Sequence, residues 1–347
     1  MKWNARSAGL LVLGLCLSAV TASYGQNNPD LKLVVAKVSG DNLTLADLQQ
    51  QEGGKLLQAE YQYYLNERKA LEELIDNHLL ADEARRRNIP LDQLLETEVY
   101  KNVKDPTEDQ LEVYYEGLDT QEPYDSIRAE VLQHIRDLRR TKARAAYVEN
   151  LRKQANINIL LMPPAVDVNI AKAYTNGSQD APVVLVEFAD YECPYCQKVN
   201  SQIQELKKQY GDKIAIVYKD FPLPMHHSSQ KAAEAARCAG EQGKFWQYHD
   251  VLFYSRQVDV DALKEHARVL KLDGDKFDTC LDNGKETNAV KADLEEGKGL
   301  GLTGTPSFFV NGHFFSGVVD LGTLTDMVNQ QLNLAAASHA KQQISQR

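Results

Sequence analysis

The chain has 347 residues, of which 43% are hydrophobic and 25% charged, so it has room for about two domains with buried cores and is not wholly disordered. With 39 basic against 49 acidic residues and a formal net charge of -10, it lacks the basic surface that nucleic acids require, and no nucleic-acid partner is expected. The cysteines are placed unevenly, one in the first apolar run and the others in the C-terminal half: Cys16, Cys193, Cys196, Cys238 and Cys280.

Residues 1–25 have the pattern of an export signal. Lys2 and Arg6 supply positive charge, Leu10 to Val20 form an apolar core, and small residues follow. The apolar run is too short for a membrane span. We predict cleavage after residue 22 or residue 25.

Cys16 allows a second interpretation, a lipid-anchored protein, but Leu15 before it is larger than lipidation signals prefer. Removal of the signal leaves an even number of cysteines, which is typical of exported proteins with disulfides. The sequence therefore predicts a periplasmic or otherwise exported protein.

The segment 31–161 begins and ends with strand-like patterns. An alternating run extends from Leu33 to Val38, as in a strand, and precedes a turn at Ser39 to Asn42. Apolar residues alternate again from Ile157 to Leu161. We expect the two strands to pair, so that the ends of this first domain lie together.

Between these ends the segment is mostly helical. Two helix starts carry capping-box pairs, namely Thr44 with Asp47 and Thr107 with Gln110. Apolar residues at three- and four-residue steps predict one long amphipathic helix that ends near Asn88 and a later helix from Tyr124 to about Gln154.

This segment resembles, over about residues 33–160, the N-terminal domain of periplasmic foldases of the SurA and PrsA type. The resemblance rests on Val35 to Gly40, Thr44 to Leu48 and Leu74 to Arg87. It implies binding of unfolded clients or a structural role, but no prolyl isomerase activity, because the short stretch Glu116 to Pro123 leaves no room for a parvulin domain. The alternative is a helical spacer or an arm that makes a homo-oligomer.

The second segment opens with a buried-strand pattern, Val183 to Val186, and reaches Cys193, Pro194, Tyr195 and Cys196 just before a helical pattern. Cys193 is thus predicted at a helix N-terminus, where free N–H groups and the helix dipole favour a thiolate. Cys196 lies one turn further, within reach of a mixed disulfide at Cys193. We predict that Cys193 is the nucleophile and Cys196 the resolving thiol.

A Cys-x-x-Cys pair also occurs in zinc sites. Zinc needs further ligands, but Cys238 and Cys280 have no Cys or His at short spacing. Pro194 favours a helix start, and Gly304 to Gly312 has the pattern of a Pro-led strand entering a hairpin. We therefore predict redox chemistry, with neither a metal nor a cofactor.

Residues 166–335 resemble the DsbA-like thiol-disulfide oxidoreductases of the thioredoxin superfamily. Besides the strand and the cysteine pair, the resemblance rests on four stretches, Tyr218 to Leu223, Ala232 to Cys238, Glu241 to Trp246 and Gly304 to Pro306. It implies an α/β thioredoxin-like fold with a helical insertion at about residues 227–285, preceded by the mostly α-helical domain.

The resemblance also implies that Thr305 and Pro306 are joined by a cis peptide that faces the cysteines, which a proline bond permits at a cost of about 0.5–1 kcal/mol. The backbone of Thr305 would then pair with an extended client chain.

Glu187 occupies the family position of a buried acid that accepts the proton of Cys196 through water. The alternative is a surface glutamate. Lys219 is expected to be solvated, and Glu192 is expected to be exposed and to oppose thiolate formation slightly.

Cys238 and Cys280 both fall in the proposed insertion. In an exported protein we expect a structural disulfide between them rather than two free thiols or a second redox relay, and it would stabilise the fold by about 4 kcal/mol. His226 and His227 are expected to mark a helix entry and not a metal site. Residues 336–347 are small and polar, which predicts a flexible tail.

The leading functional prediction is an exported thiol-disulfide oxidoreductase that acts on unfolded or reduced client proteins and is recycled by an unidentified redox partner. A disulfide isomerase or reductase is the alternative within the same chemistry, because Tyr195 supplies no cation to the thiolate. A holdase chaperone, whose N-terminal domain binds unfolded clients, is the alternative from another class.

Overall fold

The structure, a computed structural model, describes residues 31–178 and 180–345. The predicted export signal, with Cys16, lies outside these residues. The described residues divide into two units, the first ending at Gln51 and the second starting at Glu52. Among the described residues, no helix combines the length and the apolar character that crossing a membrane requires.

The first unit contains a β-hairpin. Strands β1 (Val34–Val38) and β2 (Asp41–Thr44) pair antiparallel. Ser39 and Gly40 between them have φ values of 51° and 97°, and a two-residue turn with positive φ matches the twist of a hairpin. The strand predicted at residues 157–161 does not form, because a local hairpin closes at a lower entropic cost than pairing with a distant segment.

Helix α1 (Leu45–Arg86) starts at the predicted capping box. The Thr44 N–H donates to Asp47 Oδ2 at 2.7 Å, and the Asp47 N–H donates to Thr44 Oγ1 at 3.2 Å. At the other end, Asn88 adopts the left-handed conformation with φ of 53°. The prediction of one long helix over this stretch is confirmed.

The following helical segment consists of α2 (Leu91–Leu94), a π-helical turn (Leu95–Val99), α3 (Glu108–Glu116) and α4 (Tyr124–Gln154). The bounds of α4 are those that the apolar pattern predicts. Leu80, Leu94 and Val148 form one small core of this segment. Leu111 and Val131 belong to a second small core, between α3 and α4.

The C-terminal half is built on a mixed sheet of β3 (Tyr174–Asn176), β4 (Val183–Ala189), β5 (Ile214–Asp220), β6 (Ser307–Val310) and β7 (His313–Ser316). Its strand order is β3-β5-β4-β6-β7, in which β4 and β5 are parallel and every other pair is antiparallel. The central strand β4 leads directly into the predicted cysteine pair.

Helices surround this sheet and also form the insertion between β5 and β6. They are α5 (Pro194–Tyr210), a 3₁₀ turn (Gly211–Lys213), α6 (Ser229–Gly240), α7 (Phe245–Ser255), α8 (Val260–Val269), α9 (Gly274–Asp282), α10 (Thr287–Gly299) and α11 (Leu321–Ser345). Helices α6 to α9 lie in the region for which the insertion is predicted.

Helices cover both faces of the sheet. On one face, Val199 of α5 and Leu324 of α11 share a core with strand residues. On the other, the ring of Tyr61 from α1 packs edge-on against Phe314, with centroids 4.7 Å apart. A Cβ at Gly54 would lie 2.5 Å from the Gly301 backbone nitrogen, so α1 passes this close only because residue 54 is glycine. The predicted fold class, an α/β thioredoxin-like fold with a helical insertion after a mostly helical region, is confirmed.

Helix α11 continues to Ser345, into residues 336–347, where the sequence predicts a flexible tail. The Ala-rich stretch at residues 335–337 explains the continuation, because alanine has the highest helix propensity. The predicted division into domains 31–161 and 166–335 stays a prediction.

Candidate active site

The chain leaves β4 through a tight turn that ends at Cys193. The Cys193 N–H donates to the Asp190 carbonyl at 3.1 Å. Cys193 is the residue immediately before α5, and Pro194 is the first residue of that helix. The first turn of α5 therefore directs unpaired N–H groups and the positive end of the helix dipole toward the Cys193 sulfur, as predicted.

Both thiols are free and buried. The pKa of Cys193 is lowered to about 5, mainly by a hydrogen bond from the Cys196 thiol. Burial opposes this shift, while contacts with Thr305 and with the N–H groups of Cys196 and Tyr195 add to it. Burial raises the pKa of Cys196, and the adjacent Cys193 and Glu187 raise it further. At neutral pH the pair thus holds one thiolate, on Cys193, and one thiol.

The loop before β6 reaches the same sulfur. Thr305 and Pro306 are joined by a cis peptide bond. The Cys193 sulfur lies 3.5 Å from the Thr305 carbonyl oxygen, to which Cys193 donates when it is protonated. The structure therefore brings together the predicted cysteines and the predicted Thr-Pro pair.

Glu187 lies on β4 and is only 2% exposed. Burial, with the neighbouring charge of Cys193, raises the pKa of Glu187 to about 8. Its Oε1 has no hydrogen-bond partner among the described residues. A carboxyl of this kind can both hold and release a proton near neutral pH, as general acid–base chemistry requires.

The loop after β5 is attached to the active-site turn by two acidic side chains. The buried Asp190 accepts, through Oδ2, the Leu223 N–H at 2.7 Å and His226 Nδ1 at 2.8 Å. Glu192 Oε2 accepts the Ser228 N–H at 2.7 Å. Glu192 is half-buried, so the expectation that it is exposed is wrong.

Asp190 and His226 are site residues that the sequence interpretation missed. Burial opposes protonation of His226, but its hydrogen bond with Asp190, the charge of Asp190 and the charges of Cys193 and Glu192 raise its pKa. These interactions favour the protonated form of His226 at the active-site turn, whereas Tyr195, between the cysteines, carries no positive charge. Asp190 and His226 each follow a strand of the sheet, and loops that follow neighbouring parallel strands lie at the same edge. Their positions after two predicted strands were therefore the signal from which their proximity could have been inferred.

A layer of aromatic side chains lies behind the cysteines. The Tyr191 and Tyr218 rings stack with centroids 5.3 Å apart, and the Tyr191 hydroxyl lies 3.2 Å from His249 Nδ1. Burial lowers the pKa of His249 to about 3, so its imidazole is neutral. The sequence interpretation missed this layer, because its members lie in the turn after β4, on β5 and on α7.

Lys219 belongs to a buried ion-pair network and is not solvated, which corrects the sequence expectation. Its ammonium lies 2.9 Å from Asp293 Oδ1 and 2.8 Å from Glu296 Oε2. Arg237 pairs with Asp293 and with Asp220 in the same network. In the sheet, Tyr218 of β5 is paired with Glu187, and the next residue, Lys219, is paired with Phe188. Because successive side chains of a strand point to opposite faces, Lys219 lies on the face of the sheet opposite to Glu187.

The structure contains a disulfide between Cys238 on α6 and Cys280 on α9, with a Cα–Cα distance of 5.9 Å. Among the described residues, one group places the ligand atoms of three potential metal-binding side chains within 4.8 Å of one another, namely Glu241, Cys280 and Glu286. The Cys280 sulfur is bonded to Cys238 and offers no thiolate to a metal.

Residues 170–330 match the protein family described as Thioredoxin. The curated relatives include the Na(+)/H(+) antiporter NhaA 3 of Salinispora tropica, 34% identical over 165 residues that make up 47% of this chain and 25% of the relative. The antiporter NhaA of Herminiimonas arsenicoxydans is 33% identical over 174 residues, 50% of this chain and 27% of the relative. The chain spans about a quarter of the length of these relatives.

Two solved structures are similar to the C-terminal half. A thioredoxin-like oxidoreductase from Silicibacter pomeroyi is 28% identical and has a TM-score of 0.44, with 47% of this chain and 94% of that chain covered. Oxidised BdbD from Bacillus subtilis is 22% identical and has a TM-score of 0.45, with 50% and 97% covered. The family match and the observed sheet identify a thioredoxin-like domain in this half of the chain.

Proposed function

We propose that the protein is an exported thiol-disulfide oxidoreductase that exchanges disulfides with client proteins through Cys193 and Cys196. The observation that carries the proposal is the asymmetry of the two sulfurs, a thiolate at the start of α5 beside a buried thiol one turn away. This is the arrangement that a nucleophile and a resolving thiol need. The family match of residues 170–330 supports it.

The reaction starts from the Cys193–Cys196 disulfide. A client thiolate attacks the Cys193 sulfur, the bond between the two cysteines breaks, and Cys196 leaves with the electron pair and takes a proton from Glu187. A second client thiolate then attacks the client sulfur of the mixed disulfide, and Cys193 leaves as a thiolate. The client is oxidised by two electrons and the cysteine pair is reduced by two.

Thr305 and Pro306 are proposed to hold the client in this reaction. The Thr305 backbone is adjacent to the Cys193 sulfur, where an extended chain that carries the attacking cysteine would lie. Backbone pairing of this kind recognises a client without regard to its sequence. We propose unfolded or reduced exported proteins as clients.

The direction of net transfer follows from the stability of the reduced form. A thiolate with a pKa of about 5 is stabilised at neutral pH, and a stabilised reduced form makes the disulfide an oxidant. We therefore place oxidation of clients before isomerisation or reduction. The reduction potential of the pair measures this directly: a potential near that of reducing thioredoxins would assign the reductase role instead.

The exchange activity is tested by oxidation of a reduced peptide with two cysteines in a glutathione buffer. We expect the wild type to oxidise the peptide and Cys193→Ser to be inactive. Cys196→Ser, which cannot form the Cys193–Cys196 disulfide, should also lose most of the oxidation. Equal rates for wild type and Cys193→Ser would refute the proposal. Mass measurement of the protein purified from the periplasm tests export through the loss of residues 1–22 or 1–25.

A second candidate function, binding of unfolded clients, is favoured by one observation in the first unit. Its described residues expose seven large apolar side chains, those of Leu31, Leu33, Val34, Val35, Val38, Leu43 and Leu48. So many exposed large apolar side chains on a short segment favour an interaction with another protein. We propose that it binds unfolded clients or a second copy of the chain.

Client binding and self-association are both measured in a Cys193→Ala, Cys196→Ala background, which removes the redox chemistry. Leu33→Ser, Val35→Ser and Val38→Ser together should abolish suppression of client aggregation if the surface binds clients, and should lower the sedimentation mass if it binds a second copy. The matched control replaces three exposed apolar residues of the helical segment, Leu74, Val113 and Leu138, by serine. An equal effect of both triplets would refute a specific role of the hairpin.

A further inference from the structure

Helix α1 reaches the sheet at the edge formed by β7. Because β7 is the last strand in the sheet order, every second residue of it directs its backbone N–H away from β6. The Phe314 N–H donates to the Pro164 carbonyl at 2.9 Å. The Ser316 N–H donates at 3.2 Å to the hydroxyl of Tyr61, which lies 255 positions earlier in the chain. A side chain of α1 thus stands where a further strand would supply a carbonyl.

The residue after Ser316 is bonded to the loop that faces the cysteines. The Gly317 N–H donates to the Pro306 carbonyl at 2.9 Å. Gly317 has a φ of 83°, a conformation that favours glycine. The carbonyl oxygen of Thr305, the residue before Pro306, lies 3.5 Å from the Cys193 sulfur. Two consecutive N–H groups therefore connect α1 on one side with the active-site loop on the other.

The same helix also contacts the segment that leads into this loop. A Cβ on Gly54 would lie 2.5 Å from the Gly301 nitrogen and 2.6 Å from the Gly299 carbonyl oxygen, at the end of α10. Leu57, one turn further along α1, belongs to the same buried core as Leu302. Helix α1 therefore contacts the chain both before and after the Thr-Pro pair.

The position of the Tyr61 hydroxyl is fixed by contacts of its ring. Tyr61 is 6% exposed, and its ring lies edge-on to Phe314 with centroids 4.7 Å apart. Phe314 in turn packs against Phe309 of β6 at 5.2 Å. Contacts between aromatic rings of this kind stabilise a definite arrangement. A phenylalanine at position 61 would keep these contacts and lose only the hydrogen bond to Ser316.

Resting on the exchange reaction proposed above, we infer that α1 positions the client-binding loop, residues 301–306, through the Tyr61 hydroxyl and the close approach at Gly54. Thr305 must stay at a fixed place beside the reacting sulfur if its backbone is to pair with an extended client. Without these contacts the loop would sample other positions, and ordering it again would slow the reaction with a client. Tyr61 is a positioning residue, because it acts through Ser316.

The inference separates two kinds of substrate. An extended peptide needs the Thr305 backbone in place, so its reaction depends on the contacts of α1. A small dithiol such as dithiothreitol has no peptide backbone with which Thr305 could pair, so its reaction depends on the cysteines alone. Helix α1 would thus act on client recognition and leave the chemistry of the cysteine pair unchanged.

The first test compares two tyrosines of α1. Tyr61→Phe removes the bond to Ser316, and Tyr64→Phe is the matched control, since Tyr64 is also buried and stacks on Tyr61. The oxidised full-length proteins are mixed with a reduced cysteine peptide or with dithiothreitol, and loss of the Cys193–Cys196 disulfide is followed. We expect Tyr61→Phe to slow the peptide reaction about threefold to tenfold, as the net contribution of one hydrogen bond allows, and the dithiothreitol reaction less than about twofold.

Three results would overturn the positioning role of Tyr61. They are an unchanged peptide reaction in Tyr61→Phe, equal slowing of its peptide and dithiothreitol reactions, and equal slowing of the peptide reaction in Tyr64→Phe. The last two would make the tyrosines part of the core and nothing more.

A second pair of variants tests the close approach of α1. A Cβ at Gly54 meets the Gly301 backbone, whereas a Cβ at Gly53 meets no atom within 4 Å. Both replacements by alanine raise helix propensity, so they differ in this contact. Gly54→Ala should slow the peptide reaction at least about tenfold relative to Gly53→Ala, since a misplacement of about 1 Å can cost a hundredfold in rate. Equal rates in the two variants would refute the role of the contact, and if Gly54→Ala does not fold, Tyr61→Phe decides.

A measurement without a client separates this inference from the exchange function. Amide hydrogen exchange of the reduced full-length protein reports on the Gly317 N–H, whose acceptor is the Pro306 carbonyl. Tyr61→Phe should speed exchange at Gly317 about threefold to tenfold, and Tyr64→Phe should leave it unchanged. If this holds but the wild type oxidises no peptide, the exchange function fails and the positioning of the loop stands. Unchanged protection of Gly317 in Tyr61→Phe would refute the positioning.

Discussion

The protein holds its four described cysteines in two regions with opposite properties. At the active-site turn, Cys193 and Cys196 are one helical turn apart, free, and placed where the helix N-terminus stabilises a thiolate. In the insertion, Cys238 and Cys280 join two helices as a disulfide. We propose that the same side chain serves reactivity in one region and stability in the other, and that the local environment decides which.

The surroundings of the two regions explain the difference. N–H groups, the Thr305 carbonyl and the acid Glu187 converge on the first pair. The second pair belongs to a core rich in alanine and aromatic side chains that extends through α6 to α9 and also includes the first pair, and its sulfurs join α6 to α9. Breaking either pair should therefore affect a different property of the molecule.

The largest expected effect is the loss of exchange when the first pair is broken. Cys193→Ser removes the sulfur proposed to form the mixed disulfide, so oxidation of a reduced peptide should fall at least about a thousandfold. Cys238→Ser with Cys280→Ser should retain exchange within a few-fold, measured at a temperature where the variant is folded. Comparable losses in both variants would remove the distinction between the regions.

The next effect is on the free energy of unfolding. Here breaking the second pair should have the larger effect, and breaking the first pair the smaller one. The sequence separation of 42 in the Cys238–Cys280 bridge corresponds to about 4 kcal/mol in the chain-entropy description of disulfides. Cys238→Ala with Cys280→Ala should lower the free energy of unfolding by about this amount in urea titrations. Cys193→Ala with Cys196→Ala is the matched control and should change it less; an equal change would contradict the proposed division of roles.

The third effect is the pH dependence of stability with Cys193 and Cys196 reduced and the bridge intact. Cys193, whose pKa falls from 9.0 to about 5, contributes stability that is present above pH 9 and lost as pH falls through 5. Glu187, whose pKa rises from 4.5 to about 8, contributes stability that is present below pH 4.5 and lost as pH rises through 8. The two contributions have opposite slopes between about pH 5 and 8.

Removing one group should reveal the slope of the other. In Glu187→Gln the free energy of unfolding should rise with pH in this window, and in Cys193→Ser it should fall, each by less than about 1.4 kcal/mol per pH unit. For Cys193, solvent screening near the helix end reduces the slope further. Denaturant titrations at several pH values measure this, with the exposed Glu205→Gln as control. Slopes of the same sign in both variants would contradict the assigned pKa directions.

The features that the sequence could predict are those encoded by neighbours along the chain. The Thr44 and Asp47 capping box, the limits of α4 and the position of Cys193 at a helix start each depend on residues within a few positions of one another. Helix capping and helical periodicity act over such distances, so local patterns are enough to infer them.

The features that could not be predicted depend on contacts between distant residues. The partners of Lys219 lie on α10, more than 70 positions along the chain, and their carboxylates make its burial tolerable. Asp190 and His226 meet only because the loops after β4 and β5 leave the same edge of the sheet. The failed strand at residues 157–161 shows the same limit, because alternation alone does not select a pairing partner.

The smallest predicted effect concerns His226, whose cation acts on the first cysteine pair alone. Asp190 favours the protonated form of His226, whose charge interacts with Cys193. Replacing His226 with the neutral amide in His226→Asn should therefore raise the pKa of Cys193, by less than about one unit because the site is partly open to solvent. The rate of alkylation of Cys193 as a function of pH measures this shift. His227→Asn is the matched neighbouring control. An unchanged alkylation profile in His226→Asn would assign His226 to anchoring of the loop, since loop anchoring alone would alter stability without moving the thiol titration.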